Sequence, residues 1–221
     1  MCGRYLLEDE AYADILLILN NLNKEKKIYG DSKLSGMENF TADELTHGEI
    51  FPTFTAPVIT DGGISAVRWG FPHWKNSSVI INARAETALE KKMFSKPLRE
   101  RRCVVPSSGF YEWSRGGRVN RGGGSSHSGG GKRKDKYLFR RPGEHTLYMA
   151  GIVNTFRDAA GSAYDAFAIL TTAANDSVAM IHDRMPVILA PDEQNLWVTD
   201  NGFMEFAINR IGQELSHELA G

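Results

Sequence analysis

The second residue of the chain is a cysteine, and this position gives it chemistry that an internal cysteine lacks. Removal of Met1 is expected because Cys2 is small, and it leaves Cys2 with a free α-amine beside its thiol. An α-amine has a pKa of about 7.7–8.0 and a thiol about 8.5, so both are partly deprotonated near neutral pH. Such a 1,2-aminothiol traps aldehydes: the amine forms a Schiff base and the thiol closes a thiazolidine ring. The alternative is a small buried residue near the terminus.

Three further polar residues lie at predicted strand ends or in apolar surroundings. Asn82 is at a strand-to-helix junction, where it either does chemistry or caps the helix. Glu112 lies in the apolar run SGFYEW; it is either buried, with a raised pKa that suits a general acid or base, or faces outward. His182 is suited to proton transfer near neutral pH, and a structural histidine is the alternative. Asp183 and Arg184 beside it either orient it or pair with each other.

Short apolar segments predict the strands that must position these residues. Residues 56–69 read as a hairpin around Asp61-Gly62-Gly63, and residues 103–113 read as strand, turn and strand. Aromatic and β-branched residues predict further strands in YLFRR, LYMAGIVNT, YDAFAILTTAA and MPVIL.

Three segments are predicted to be helical. Residues 9–22 place Tyr12, Ile15, Ile18, Leu19 and Leu22 on one helical face. Residues 82–94 are predicted to form a helix after a strand end, and residues 191–219 to be mostly helical. No repeat or second-domain linker is visible. The pattern predicts one α+β domain over 1–221, with a largely antiparallel, barrel-like sheet and flanking helices.

Composition excludes several classes of function. The net charge is −1, so any nucleic acid would be held by a local basic patch. Two cysteines make no disulfide scaffold, and scattered histidines without CxxC predict no metal site and no cofactor. No segment approaches the ~20 apolar residues of a membrane span, and the first residues do not form a signal peptide. We therefore expect no membrane contact and a cytoplasmic protein, associated with the nucleoid if it is prokaryotic.

Residues 115–136 contain seven lysines or arginines and one acid among glycine and serine. Such a segment cannot bury enough apolar surface to order itself, so we expect a flexible basic loop. It is either a tolerated insertion in a hairpin or an added source of phosphate attraction.

Five blocks of sequence match, in order, the pattern of one protein family. With them the chain resembles the SRAP (SOS response-associated peptidase) family of abasic-site processing proteins. MCGR alone would be weak evidence, but the five blocks together are specific and span most of the chain. They are MCGRY (1–5), RWGF (68–71), INARAET (81–87), KPLRERRCVVPSSGFYEW (96–113) and IHDRMPVIL (181–189).

The resemblance implies a monomer that recognises abasic sites in single-stranded DNA, including single-to-double-strand junctions. It implies that Cys2 cross-links to the ring-opened sugar as a thiazolidine, with Asn82 positioning the cysteine. Glu112 would assist the proton transfers, and His182 would help to open the deoxyribose ring. Autoproteolytic removal of Met1 and lyase activity at the abasic site are further activities that the family pattern implies.

The same resemblance implies how DNA is held. Arg4 and Arg84 match family positions that contact the DNA backbone, and without the resemblance Arg84 could equally be a surface charge. Thr171 and Thr172 lie near a matching strand end and are expected at a phosphate.

Apolar side chains are expected against the bases. Trp69, Phe71 and Trp74 lie in the segment where the family places such side chains, and stacking on unpaired bases contributes ~1–3 kcal/mol per base. Core packing is the alternative for Trp69.

The chain departs from the family pattern in one block: GEIFPTFTAPV (48–58) stands in place of the usual Arg-Tyr-Asn-x-x-Pro. The match after Trp197 is also poor. Two other functions stay open. One is an N-terminal-cysteine amidohydrolase resembling class II glutamine amidotransferases, which also begin Met-Cys-Gly. The other is a non-catalytic module that binds single-stranded DNA through Trp69, Trp74 and the basic loop.

Overall fold

A computed structural model of the chain describes residues 2–17, 47–115 and 134–220. The last five residues of the predicted helix 9–22 and most of the predicted basic loop 115–136 lie outside these residues. The strands are β1 (Tyr5–Leu7), β2 (Gly48–Ile50), β3 (Thr55–Thr60), β4 (Gly63–Trp69), β5 (Phe71–Pro72), β6 (Val79–Ile80), β7 (Asn82–Arg84), β8 (Arg102–Ser107), β9 (Gly109–Trp113), β10 (Lys136–Arg140), β11 (Leu147–Arg157), β12 (Ala163–Ala173), β13 (Arg184–Pro186), β14 (Ile188–Leu189) and β15 (Ser216–Ala220).

The described helices are short. Residues 9–17 are helical and are labelled α1. The others are α2 (Ala85–Ala88), α3 (Lys92–Glu100), α4 (Asp176–Ala179), α5 (Gln194–Thr199) and α6 (Asn201–Asn209), with a 3₁₀ turn at Pro191–Glu193. No helix among the described residues is long and apolar enough to cross a membrane.

Five strands close into a barrel in the order β12–β4–β3–β8–β11 and back to β12. Every pairing in this ring is antiparallel except β12 with β4, which is parallel. The predicted α+β fold, with a largely antiparallel barrel-like sheet and flanking helices, is therefore confirmed.

A second, antiparallel sheet in the order β15–β10–β9–β1–β2 packs against the barrel. Its strands alternate between two faces, as pleated strands must. The inner face carries Tyr5, Ile50, Phe110 and Phe139, all fully buried and part of a core cluster that also includes barrel residues such as Phe167. This shared core fixes the second sheet, and with it the start of the chain, against the barrel.

A second core cluster lies under the helices, around Trp197. The Trp197 indole donates to the Cys103 carbonyl at 2.9 Å, which joins α5 to β8. The Arg102 guanidinium, almost fully buried, donates to the carbonyl oxygens of Leu98 and Arg99 at the end of α3 and to Trp197. These bonds satisfy helix-terminal carbonyls that would otherwise lack partners.

Two element predictions were wrong in detail. The helix predicted over 82–94 is strand β7, the single turn α2 and the start of α3, because residues 82–84 pair in parallel with β12. The predicted helical tail is helical only in part, since β15 pairs with β10 along five residues and makes the edge of the second sheet.

Candidate active site

Cys2 is fully buried immediately before β1. Its backbone carbonyl accepts a hydrogen bond of 2.9 Å from the Asn82 side-chain amide, and its thiol lies 3.8 Å from the Arg4 carbonyl oxygen. Burial raises the pKa of the Cys2 thiol, and the nearby charge of Glu112 raises it further. Cys2 is thus held in a defined place.

Asn82 is the first residue of β7 and lies opposite Ile169 of β12 in the barrel wall. It does not cap the following helix: the N-cap of α2 is Arg84, with no side-chain cap bond. The Asn82 amide nitrogen holds the Cys2 carbonyl, while its buried Oδ1 has no hydrogen-bond partner among the described residues. A buried acceptor of this kind is a place for a donor from a substrate or from the cysteine amine.

Glu112 lies on the inner face of β9, where the strand alternation directs it toward the core. Its side chain is almost fully buried. Burial raises the pKa of the Glu112 carboxyl above its ordinary value. The buried position, rather than the outward-facing one, is therefore the one that the structure shows.

His182 follows α4 and faces Glu112, with 3.8 Å between His182 Nε2 and Glu112 Oε2. Its Nδ1 accepts a hydrogen bond of 3.0 Å from the backbone N–H of Arg184, so in the neutral ring the proton is on Nε2. Burial lowers the pKa of His182 to about 4. The imidazole is therefore neutral at pH 7, and Asp183, 3.2 Å from Nδ1, is not its ion-pair partner there.

Both neighbours of His182 lie against its ring, Arg184 through its backbone N–H and Asp183 through a carboxylate oxygen, and their side chains also pair with other residues. The Arg184 guanidinium makes two hydrogen bonds to Glu86, of 2.6 and 2.8 Å, and Asp183 pairs with Arg115. The Glu86–Arg184 pair joins α2, which follows the strand that begins at Asn82, to β13, which begins two positions after His182. Sequence reasoning did not identify Glu86, because nothing in the chain's local pattern relates residues 98 positions apart.

The structure thus brings the four predicted catalytic residues to one place from four separate stretches of chain. Asn82 contacts Cys2, the Glu112 charge acts on Cys2, and Glu112 lies beside His182. Within 2–17, 47–115 and 134–220, no three His, Cys, Asp or Glu side chains are grouped so that they could hold a metal ion. The arrangement can hold a backbone carbonyl, move protons and present a nucleophile.

The aromatic residues expected at the bases have different positions. Trp69 is fully buried, 5.1 Å from the Tyr5 ring centroid and stacked on Phe167, and its indole donates to the Ile81 carbonyl. Phe71 is also fully buried. Neither presents a face to a base in this structure. Trp74 is 77% exposed, in the loop between β5 and β6.

The residues expected at the backbone are likewise divided. Arg84 is exposed, and Arg4 and Thr172 are half-buried. Thr171 is fully buried, with its carbonyl accepting from Arg184, so it offers no side-chain surface to a phosphate. A cleft of about 380 Å³ adjoins the site; it is lined by Ile80, Asn82, Arg84, Lys91, Met93 and Phe94.

The family model for SOS response-associated peptidases, SRAP, matches residues 1–217. The chain belongs to the SRAP family. The abasic site processing protein YoqW of Bacillus subtilis is 31% identical over 214 residues, covering 90% of this chain and 80% of that protein. Its paralogue named abasic site processing protein YoaM is 30% identical, covering 90% and 79%.

Solved structures show the same fold. A protein from Bacteroides thetaiotaomicron superposes with a TM-score of 0.64 at 24% identity, covering 79% of this chain and 78% of that one. A protein from Bordetella bronchiseptica gives 0.68 at 20% identity, with both chains fully covered. At these identities the likeness concerns the fold alone. Family membership now accounts for the five sequence blocks and for the architecture that joins them.

Proposed function

We propose that this protein captures abasic sites in single-stranded DNA, including single-to-double-strand junctions, as a covalent thiazolidine on Cys2 after Met1 is removed. The observation that carries the proposal is the bond from Asn82 to the Cys2 carbonyl beside the buried Glu112 and His182. Family membership and the names of the Bacillus subtilis relatives support the substrate.

The proposed reaction joins one cysteine and one aldehyde with loss of one water. The α-amine nitrogen of Cys2 attacks C1′ of the ring-opened sugar, and the carbinolamine expels water to give an imine. The thiol sulfur then adds to the same carbon, and its proton passes to the nitrogen. The product carries new C–N and C–S bonds in place of the carbonyl C=O. Both nucleophiles must be deprotonated when they attack.

The buried Glu112 and the partly buried His182 fit the proton transfers. The raised pKa of Glu112 suits a carboxyl that takes a proton from the amine or thiol and returns one to the departing oxygen. Neutral His182 carries its proton on Nε2, on the side facing Glu112. Through that N–H it can hydrogen-bond to the sugar ring oxygen as the ring opens, while the proton released by the C1′ hydroxyl passes by way of Glu112 to the ring oxygen. Asn82 fixes the cysteine so that its amine and thiol meet one carbon.

The same groups suit two further activities that we include in the proposal. Expulsion of Met1 by the chain itself would use the same nucleophile and proton carriers. The imine, formed before the ring closes, would permit strand cleavage at the abasic site. We expect the protein to act as a monomer in the cytoplasm, at DNA held by Arg4, Arg84, Trp74 and Thr172.

Adduct formation tests the proposal. The mature protein is incubated with a single-stranded oligonucleotide that carries one abasic site, and products are separated under denaturing conditions. We expect a denaturation-resistant adduct that Cys2→Ala abolishes and Cys103→Ala, at the second buried cysteine, retains. An equally stable adduct with Cys2→Ala would contradict the mechanism. Binding to intact DNA with no adduct in any variant would indicate a binding module, and glutaminase activity without an adduct would indicate an amidohydrolase.

A further inference from the structure

Glu49 holds two cationic side chains at the end of the second sheet where Cys2 lies. It is on β2, in the block that departs from the family pattern. Its Oε2 is 3.1 Å from an Arg4 nitrogen, and its Oε1 accepts from the Lys136 ammonium. Burial by itself raises the pKa of Glu49, but the hydrogen bonds and charges of Lys136 and Arg4 outweigh it and hold the pKa below its ordinary value.

The two cations are fixed by aromatic rings as well as by the carboxylate. The Arg4 guanidinium lies 4.2 Å from the Phe51 ring centroid and 5.3 Å from that of Trp113. The Lys136 ammonium lies 3.8 Å from the Tyr111 ring centroid. Aromatic faces favour cations at such distances. The position between Arg4 and Lys136 is therefore a built anion site, and Glu49 occupies it.

Strand register places this site on the outer face of the second sheet, close to the active site. Leu6 of β1 is opposite Glu49, and Lys136 of β10 is opposite Trp113 of β9, so these side chains share the outer face. Glu112, between Tyr111 and Trp113, points to the inner face. One residue, Gly3, separates Cys2 from Arg4, so their Cα atoms are at most about 7 Å apart. An anion between Arg4 and Lys136 would thus be a near neighbour of a group bound at Cys2.

We propose that Arg4 and Lys136 bind one phosphodiester of single-stranded DNA beside the lesion, and that Glu49 is the internal anion which this phosphate displaces. The inference rests on the proposed function for the identity of the ligand. A phosphodiester carries one negative charge and accepts hydrogen bonds from both cations, as the Glu49 carboxylate does. Glu49 keeps the cations in place before DNA arrives and lowers the affinity for DNA, because its two ion pairs must be exchanged.

The test measures non-covalent binding of intact single-stranded oligonucleotide, without an aldehyde, across a range of salt concentrations. We expect Glu49→Gln to bind about three- to tenfold more tightly near 0.1 M salt, the size of one or two exchanged surface ion pairs. The slope of log affinity against log salt should steepen by up to about 0.7, the value for one charge neutralised on a single strand, because only wild type has a displaced carboxylate that takes up a cation when DNA binds.

Two variants make the result specific. Glu193→Gln changes the net charge equally but releases Arg210, which pairs with Glu193 in the C-terminal region, and it should not alter binding. Lys136→Gln should weaken binding, and the gain from Glu49→Gln should shrink in its presence because the two residues share one site.

Three results would overturn the inference: Glu49→Gln binding no more tightly than wild type, an equal gain in Glu193→Gln, or a gain that is unaffected by Lys136→Gln. If Glu49→Gln does not bind DNA more tightly but the Cys2 adduct still forms, only the proposed phosphate site is wrong. If Glu49→Gln binds DNA more tightly but no adduct forms in any variant, only the proposed thiazolidine chemistry is wrong. If no variant binds single-stranded DNA, both proposals are wrong.

Discussion

At the scale of single residues, burial moves two ionisable groups of the site toward their neutral forms. It raises the pKa of Glu112 and lowers that of His182 to about 4. In each case removal from water disfavours the charged form. A carboxyl that binds a proton more readily and a histidine that stays neutral are the forms that suit alternating proton uptake and release.

Replacing Glu112 should raise the stability of the folded protein at neutral pH and lower its cross-linking activity. A carboxyl whose pKa is raised on folding contributes stability below its ordinary pKa and loses it as the pH rises through the raised value. Glu112→Gln should therefore gain unfolding free energy relative to wild type as the pH rises above 4.5, while cross-linking slows by about 10²- to 10⁴-fold. Urea unfolding between pH 4 and 8, with adduct rates on the same samples, checks both. A constant stability difference together with an unchanged rate would remove the role.

His182 should make stability depend on pH in the opposite direction. The folded protein keeps the imidazole neutral, whereas the unfolded chain protonates it below about 6.5. Wild type should therefore lose stability relative to His182→Asn as the pH falls from about 6.5 to about 4. Urea unfolding at intervals across this window measures it. A difference that does not change across the window would show that burial does not hold His182 neutral.

The sequence led to all four candidate catalytic residues, but it could not show what joins them. Cys2, Asn82, Glu112 and His182 were found from their residue types and from the blocks around them. The Asn82 bond to the Cys2 carbonyl depends on β7 lying in the barrel wall, which no local pattern shows. Glu49 was seen only as part of a departure from the family pattern.

At the scale of elements, one ion pair joins the two segments that carry Asn82 and His182. Glu86 lies in the single turn α2 that follows β7, and Arg184 begins β13, the strand after His182. The Arg184 side chain is 14% exposed, and its backbone N–H also fixes the tautomer of His182. Without Glu86, the Arg184 guanidinium would be a poorly solvated cation that is free to move.

Glu86→Gln should lower the unfolding free energy by about 1–2 kcal/mol, because Arg184 loses its bidentate partner. It should also slow cross-linking, since the His182 segment is no longer tied to β7. Glu100→Gln breaks the exposed Lys96–Glu100 pair and serves as the control, with an effect within about 0.5 kcal/mol. Equal, small effects of both substitutions on stability and rate would show that the Glu86–Arg184 pair positions nothing.

Elements with strong local patterns were predictable, and those defined by distant pairing were not. The hairpin of β3 and β4 follows from apolar runs around Asp61-Gly62-Gly63, and β8 with β9 follows in the same way. Strand β7 consists of Asn-Ala-Arg ahead of helix-forming residues. It is extended because it pairs in parallel with β12. β15 depends on β10 in the same way.

At the scale of the whole molecule, the net charge is −1, so the proposed DNA binding has to rest on local features of the surface. Trp74 is an exposed aromatic residue in the loop between β5 and β6, a short way ahead of Asn82. It lies beside His73, with 6.3 Å between ring centroids, and the Lys75 ammonium is 4.4 Å from its ring centroid. A flat ring with a cation beside it offers a stacking face and a charge to one nucleotide.

Trp74→Ala should weaken binding of single-stranded DNA about tenfold, within the range for one stacked base. Thermal unfolding should not change, because the side chain is 77% exposed. Trp74→Phe keeps an aromatic face and should restore most of the affinity. Fluorescence anisotropy with a labelled oligonucleotide measures all three proteins. Wild-type affinity in Trp74→Ala would remove Trp74 from the DNA surface.

The position of the cross-link tests the central claim most directly. Adduct formed with an abasic oligonucleotide is digested with nuclease and protease, and the modified peptide is sequenced by mass spectrometry. We predict a peptide that begins at Cys2, lacks Met1, and carries the sugar at its first residue with the loss of one water. A peptide that retains Met1, or a sugar attached to a lysine, would contradict the account.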